Sequence, residues 1–272
     1  MLTHDRTEKR ETKRERMAFA KVRLAERAYS TQLRQVAKHV ADLIAAFNPL
    51  NAAQMAQLKQ LLERYADVLR PWARASGARM LAEVGRRDEQ AWKRYASLMG
   101  LEMQREIEQA PVGHVMHELL DQQVQLITSL PIEAGRRVQR LATKSRYTGA
   151  RSSEIVSDLM RTGDVTRVRA TLIARTETAR AATALTQARS EGIGVSHYVW
   201  RAVLDAETRP ALGSKDFAEM NTLAKGSHRK LNGTVHAWSD PPIAAPTGER
   251  AHPGSIWNCR CWAEPVLDNL MQ

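Results

Sequence analysis

The chain has only two cysteines in 272 residues, Cys259 and Cys261, with a single residue between them. A pair that close cannot form an ordinary unstrained disulfide and neither has another partner, so a disulfide framework is excluded and a reducing compartment is the default expectation. Aromatic residues make up 5% of the sequence, too few for a fold built mainly from sheets, whereas alanine, leucine, arginine and glutamate dominate its first two thirds and favour helices. No run of about eighteen apolar residues occurs, so no membrane-spanning helix is expected. The start is charged throughout and lacks the apolar core of a secretory signal. Missing too are a G-x-S-x-G elbow, a phosphate-binding glycine loop, an H-E-x-x-H pair and a recognisable frame of paired acids, so no enzyme class is signalled.

What the chain does have is positive charge. Lys and Arg number 41 against 30 Asp and Glu, a formal net charge of +11. That balance suits contact with a phosphate polyanion or an acidic protein surface, and it speaks of partners rather than of fold. The basic residues are dispersed among acids, as in the opening HDRTEKRETKRERM, which reads as a solvated charge-laced helix or a frayed tail.

The length exceeds that of a usual single domain, so two are expected: a helical region over residues 1–145 and a mixed domain over 146–272. From Met17 to Phe47, Leu33, Val36, Val40, Leu43, Ile44 and Phe47 form one helical stripe, which the segment Asn48-Pro49-Leu50-Asn51 ends. Met55, Leu58, Leu61, Leu62, Tyr65, Val68 and Leu69 mark a second helix, interrupted or kinked at Pro71, and helical texture continues to Met99 with Gly77, Gly85 and Gly100 as weak points. Another helix is expected from about His114 to Ser129, with Pro131 opening the next. Stripes of this kind usually form core, although a stripe looks the same whether its partner lies in this chain or in another.

After Gly149 the texture changes. Ser152 or Ser153 caps a short helix reaching Met160, and Thr162-Gly163-Asp164 ends it; the next helix runs from Val165 to about Arg189 with Val168, Leu172, Ile173, Ala182, Leu185 and Ala188 inward. Beyond Gly194 the period becomes two. His197 to Val203 and Thr234 to Trp238 read as strands, the second after the turn pair Asn232-Gly233, and Arg260 to Val266 supplies a third. The fold class is therefore α+β, a long-helix region followed by helices and a small antiparallel sheet.

Four short motifs follow in order: I-A-R-T-E-T-A-R with Arg175 and Glu177; Y-V-W-R-A-V-L-D-A-E-T-R-P with Trp200 and Asp205; H-R-K-L-N-G with His228, Leu231, Asn232 and Gly233; and H-P-G-x-x-x-N-C-R-C with His252, Pro253, Asn258, Cys259, Arg260 and Cys261. Each is common alone, but the ordered set over roughly residues 150–266 resembles the Mu-F-like family of phage minor head proteins. The resemblance implies a structural protein of the virion, present in few copies inside the capsid near the portal, and in the host cytoplasm during assembly. Its implied partners are the portal protein, other capsid or scaffold proteins, and DNA contacted non-specifically at packaging or ejection. Family members usually carry the H-x-x-L-N/D-G element soon after the aspartate-bearing strand, often with a cysteine pair in between; here Ala211 to Ser227 is inserted and that pair is missing.

The same residues also have readings of their own. His228, His252, Cys259 and Cys261 would make a Cys2His2 set for zinc, the candidate cofactor. Against it, C-x-C is not the usual two-spaced knuckle, and the other reading is two small buried thiols on a strand edge with no cofactor at all. Arg175 is an expected anchor for Asp205, pinning helix to strand, and Arg180 is placed to reach Glu177. Trp200, Trp238, Trp257 and Trp262 suit the core of a small domain, with a stacking platform for single-stranded nucleic acid as the competing use. The expectation is a structural head protein without catalysis; the alternatives are a zinc-stabilised nucleic-acid-binding module and, after it, a metal-dependent nuclease drawing on His228, His252 and Asn258.

Overall fold

The computed structural model describes residues 22–48, 51–99, 110, 112–148, 152–202, 228–245 and 247–267. The expectations placed on the opening charged segment, on Asp205 and on the inserted 211–227 fall outside those residues. Four long helices dominate: α1 (Arg23–Ala45), α2 (Ala52–Met99), α3 (Val112–Thr148) and α4 (Ser152–Gly192). They are followed by β1 (His197–Arg201), the single-turn helix α5 (His228–Leu231), β2 (Val235–Ala237) and β3 (Trp262–Pro265). The class is α+β, mostly helical with one small antiparallel sheet.

The chain divides into two compact units. One comprises Glu26–Met80 and Glu118–Ala174; the other comprises Met1–Ala25, Leu81–His117 and Arg175–Gln272. In the first, the stripes named above close on one another. Val40 and Ile44 of α1, Met55, Leu58 and Leu62 of α2, Ala134 and Val138 of α3, and Leu159 of α4 form one buried cluster. These stripe residues are spent as core within the chain, the use that their spacing ordinarily carries. Burying each large aliphatic side chain contributes about 1.5–3 kcal/mol. Val68 and Val168 are the exceptions, both largely exposed.

Three expected breaks lie inside continuous helices. Pro71 sits within α2 with its ring on the solvent side, so it costs a backbone bond without a steric penalty in the core. Pro131 lies within α3 rather than at the start of a new helix. Just before it, the Thr128 hydroxyl donates to the Val124 carbonyl at 2.8 Å and the Ser129 hydroxyl to the Leu126 carbonyl at 2.9 Å, side-chain bonds that tend to bend a helix there. Gly163 is inside α4, and a Cβ built on it would lie 2.6 Å from the Cβ of Ala41. Its role is close approach of α4 to α1, not helix termination.

Where sequence and structure agree on helix ends, the caps explain them. Asn51 Oδ1 accepts from the Ala53 and Gln54 amides at 3.0 and 3.2 Å, the cap that opens α2, while Gln54 Oε1 accepts from the Asn48 amide at 2.7 Å and ties down the turn before it. α4 closes in a Schellman motif: Gly194 has φ 78°, its amide bonds the Glu191 carbonyl at 3.2 Å, and the Val195 amide bonds the Ser190 carbonyl at 2.8 Å.

In the second unit β1 is the central strand, antiparallel to both neighbours in the order β2-β1-β3. Tyr198 stands opposite His236, and Trp200 opposite Ala263. Tyr198 and Trp200, two apart and so on one face, are fully buried with Trp238, Ala244, Cys259, Cys261 and Ala263. The opposite face carries the Arg201–Glu264 ion pair across β1 and β3. Trp200 and Trp238 are core, whereas Trp257 is 44% exposed.

Candidate functional site

The C-terminal motif is a loop clamped against one face of α4. Thr183 Oγ1 donates to the Pro253 carbonyl at 2.7 Å, and Arg180 Nη2 to the Ser255 carbonyl at 2.9 Å. Thr176 Oγ1 accepts from the Asn258 amide at 3.0 Å, and the Arg175 guanidinium donates to Asn258 Oδ1. Residues 175, 176, 180 and 183 fall on neighbouring turns of one helix face, so four side chains hold the loop at both its ends. Gly254, with φ 80°, lets the loop come closer still: a Cβ there would meet the Ala179 carbonyl oxygen at 2.9 Å. Asn258 has φ 64°, a left-handed conformation that asparagine tolerates and that turns the chain into Cys259.

Arg175 thus anchors the helix to Asn258; Asp205, its expected partner, lies outside the described residues. Glu177 is fully buried and paired with Arg180 at 3.0 Å, so the same arginine joins the helix carboxylate to the loop carbonyl. Asn232 and Gly233 close the turn between α5 and β2. Asn232 Oδ1 accepts from the Ala202 amide at 2.9 Å, and the Gly233 amide, at φ 86°, donates to the Trp200 carbonyl at 2.8 Å. Leu231 packs on the sheet's buried cluster.

Of the four candidate metal ligands, three converge. Nδ1 of His228 lies 3.4 Å from Sγ of Cys259 and 3.4 Å from Sγ of Cys261. The remaining one, His252, is turned elsewhere: its Nδ1 is hydrogen-bonded with the Tyr198 hydroxyl at 3.1 Å, and its ring packs against Tyr198 and Trp238. Burial holds the His252 imidazole below its ordinary pKa and, with Asp240 nearby, holds the Tyr198 phenol above its own, so both are neutral near pH 7 and the bond is a neutral one. Cys259 is pushed up by its hydrogen bond with Cys261 and by burial, against backbone N–H bonds that lower it. Arg260 is half-buried between the two thiols in sequence.

Thr183 and Ala244 belong to this arrangement and lie outside the four motifs, while Thr176 and Tyr198 lie within two of them without a role assigned from the sequence. Thr176 and Thr183 are seven apart on the helix that bears Arg175, and that spacing is the available hint.

The family described as Phage Mu protein F like protein matches residues 136–264. That stretch, a little under half of the chain, is similar to the Mu F-like family. It takes in the helix bearing Arg175, the sheet, and the loop with both cysteines. An uncharacterised protein of Haemophilus influenzae strain Rd is 31% identical over 149 residues, which is 55% of this chain and 29% of that relative. The chain therefore corresponds to under a third of that relative's length. No solved structure gives a significant match. No helix among the described residues is long and apolar enough to cross a membrane.

Proposed function

We propose that the protein is a structural minor head protein of a tailed phage, acting in head morphogenesis at or near the portal and without catalytic activity. The observation that carries this reading is the Mu F-like match over the helix, sheet and clamped loop. The use made of the polar residues supports it. Arg175, Arg180, Thr176, Thr183 and Asn258 spend their side chains holding helix to loop, and His252 is packed between aromatic rings. These are the contacts of a scaffold. A hydrolytic centre would leave such groups facing a substrate cleft.

On this reading the partners are the portal protein and other capsid or scaffold proteins, and the protein is present in few copies inside the capsid near the portal, passing through the host cytoplasm during assembly. The net charge of +11 suits non-specific contact with DNA during packaging or ejection. The test is affinity purification of portal protein from infected cells, together with purified virions, read by quantitative mass spectrometry. The expected result is the chain in both, well below the major capsid protein in copy number. Virions that lack it and infect normally would sink the proposal.

A further inference from the structure

His228, Cys259 and Cys261 come from two stretches separated by some thirty residues of sequence, yet their ligand atoms all lie within 4.8 Å of one another. We propose that these three side chains bind a zinc ion that staples α5 to the segment leading into β3. This inference does not depend on the head-protein reading.

The separations are those a tetrahedral ion imposes. With Zn–S near 2.3 Å and Zn–N near 2.0 Å, adjacent sulfur and nitrogen ligands stand about 3.5 Å apart. Both Nδ1–Sγ distances are 3.4 Å. The imidazole is also oriented for the task. His228 Nε2 lies 2.9 Å from the Ala244 carbonyl, which can only accept, so the proton sits on Nε2 and the Nδ1 lone pair faces the sulfurs. A ligating histidine ordinarily has its second nitrogen tied in this way.

The sulfur of Cys259 is prepared in turn, accepting the Gly254 and Cys261 amides at 3.3 Å each. Those bonds fix the direction of the sulfur, and each thiol gives up its proton when a metal binds. Both cysteines are buried, and the Trp200 ring lies edge-on to the imidazole at 5.2 Å. Two soft sulfurs and an imidazole select zinc over magnesium or calcium, which want oxygen. His252 is not a ligand, being held by Tyr198.

The test uses the full chain without a histidine tag, purified without chelator and measured by atomic emission. About one zinc per chain is expected, one ion for the cluster of three ligands, with the fourth tetrahedral position open to water. Cys259→Ser and Cys261→Ser should each lower it by roughly tenfold or more, and His252→Gln should retain it. Because the serine variants could misfold, cobalt loaded into the wild-type chain supplies a second readout: a thiolate-to-metal charge-transfer band with the strong visible absorption of tetrahedral cobalt. A wild-type chain that takes up neither ion, a cobalt spectrum without the thiolate band, serine variants that keep their zinc, or loss of zinc in His252→Gln would each overturn the assignment.

Discussion

Asp88 sits buried in α2 with both oxygens engaged, Oδ1 accepting from the Thr186 hydroxyl at 2.7 Å and Oδ2 from Arg189 Nε at 2.8 Å. The pair is almost wholly withdrawn from water, with Arg189 8% and Asp88 4% exposed at their side chains. Burial outweighs the nearby guanidinium and pushes Asp88 up to about 6 from an ordinary 3.8. The folded chain therefore holds a proton between those values that the unfolded chain has released. Stability from that proton is fully present below about pH 3.8 and is lost as pH rises through about 6. We predict that the stability of the wild type relative to Asp88→Asn, followed by urea midpoint, rises as pH falls from 7 to 4, with a slope of up to about 1.4 kcal/mol per pH unit. A difference that stays flat over this range would show that the pair keeps its charge throughout. No motif in the sequence announces this network, because a carboxylate and an arginine about a hundred residues apart look like any two surface charges until the helices bring them together.

At the scale of elements, Gly163 decides how α4 meets α1. Alanine is the better helix former by about 0.5–1 kcal/mol, so propensity alone would make Gly163→Ala stabilising. The added Cβ would stand 2.6 Å from that of Ala41, and overpacking of this kind costs about 1–3 kcal/mol. We expect Gly163→Ala to lower stability on balance, and Ala41→Gly in that background to recover part of the loss. Thermal unfolding of the four chains of the double-mutant cycle gives the coupling; additive effects would dismiss the clash.

The same glycine shows what is legible in the sequence. The 3–4 spacing of Leu33, Val36, Val40 and Ile44 and the turn at Asn48 to Asn51 are enough to read the helices and one boundary, because periodicity and capping are local. Pro71, Pro131 and Gly163 read as breaks, since local propensity says nothing of a long helix stabilised by its packing along both sides of the interruption. The three short strands fall within two or three residues of their expected ends, and the motif H-P-G-x-x-x-N-C-R-C gives up its histidine, asparagine and cysteines. Which histidine faces the thiols is not readable. That depends on Ala244 and Tyr198 being near His228 and His252 respectively, contacts set by the fold alone.

At the scale of the whole molecule, the excess positive charge gives the DNA part of the proposed function its sharpest consequence. Each phosphate neutralised by an arginine releases a counterion, so affinity must fall with salt in proportion to the number of phosphates engaged. α3 carries a local concentration of such groups. Arg136 and Arg140 are exposed, and Arg137 and Arg140 line a cleft with Arg169, Thr162 and Thr166. Arg169 is already engaged with Glu133 at 3.4 Å, which makes Arg136 and Arg140 the better choice for substitution. Replacing both by alanine should weaken binding to duplex DNA of any sequence to a similar degree. It should also make the slope of log affinity against log salt shallower by about 0.9 for each phosphate no longer neutralised, or about 1.8 for the pair. Fluorescence anisotropy from about 50 to 200 mM salt, a range over which several neutralised phosphates cost orders of magnitude in affinity, measures both quantities. A slope unchanged in the double variant would place the phosphate-binding groups on another surface. A wild-type affinity indifferent to salt would remove DNA from the partners, leaving the charge to be explained by an acidic protein surface in the assembling head.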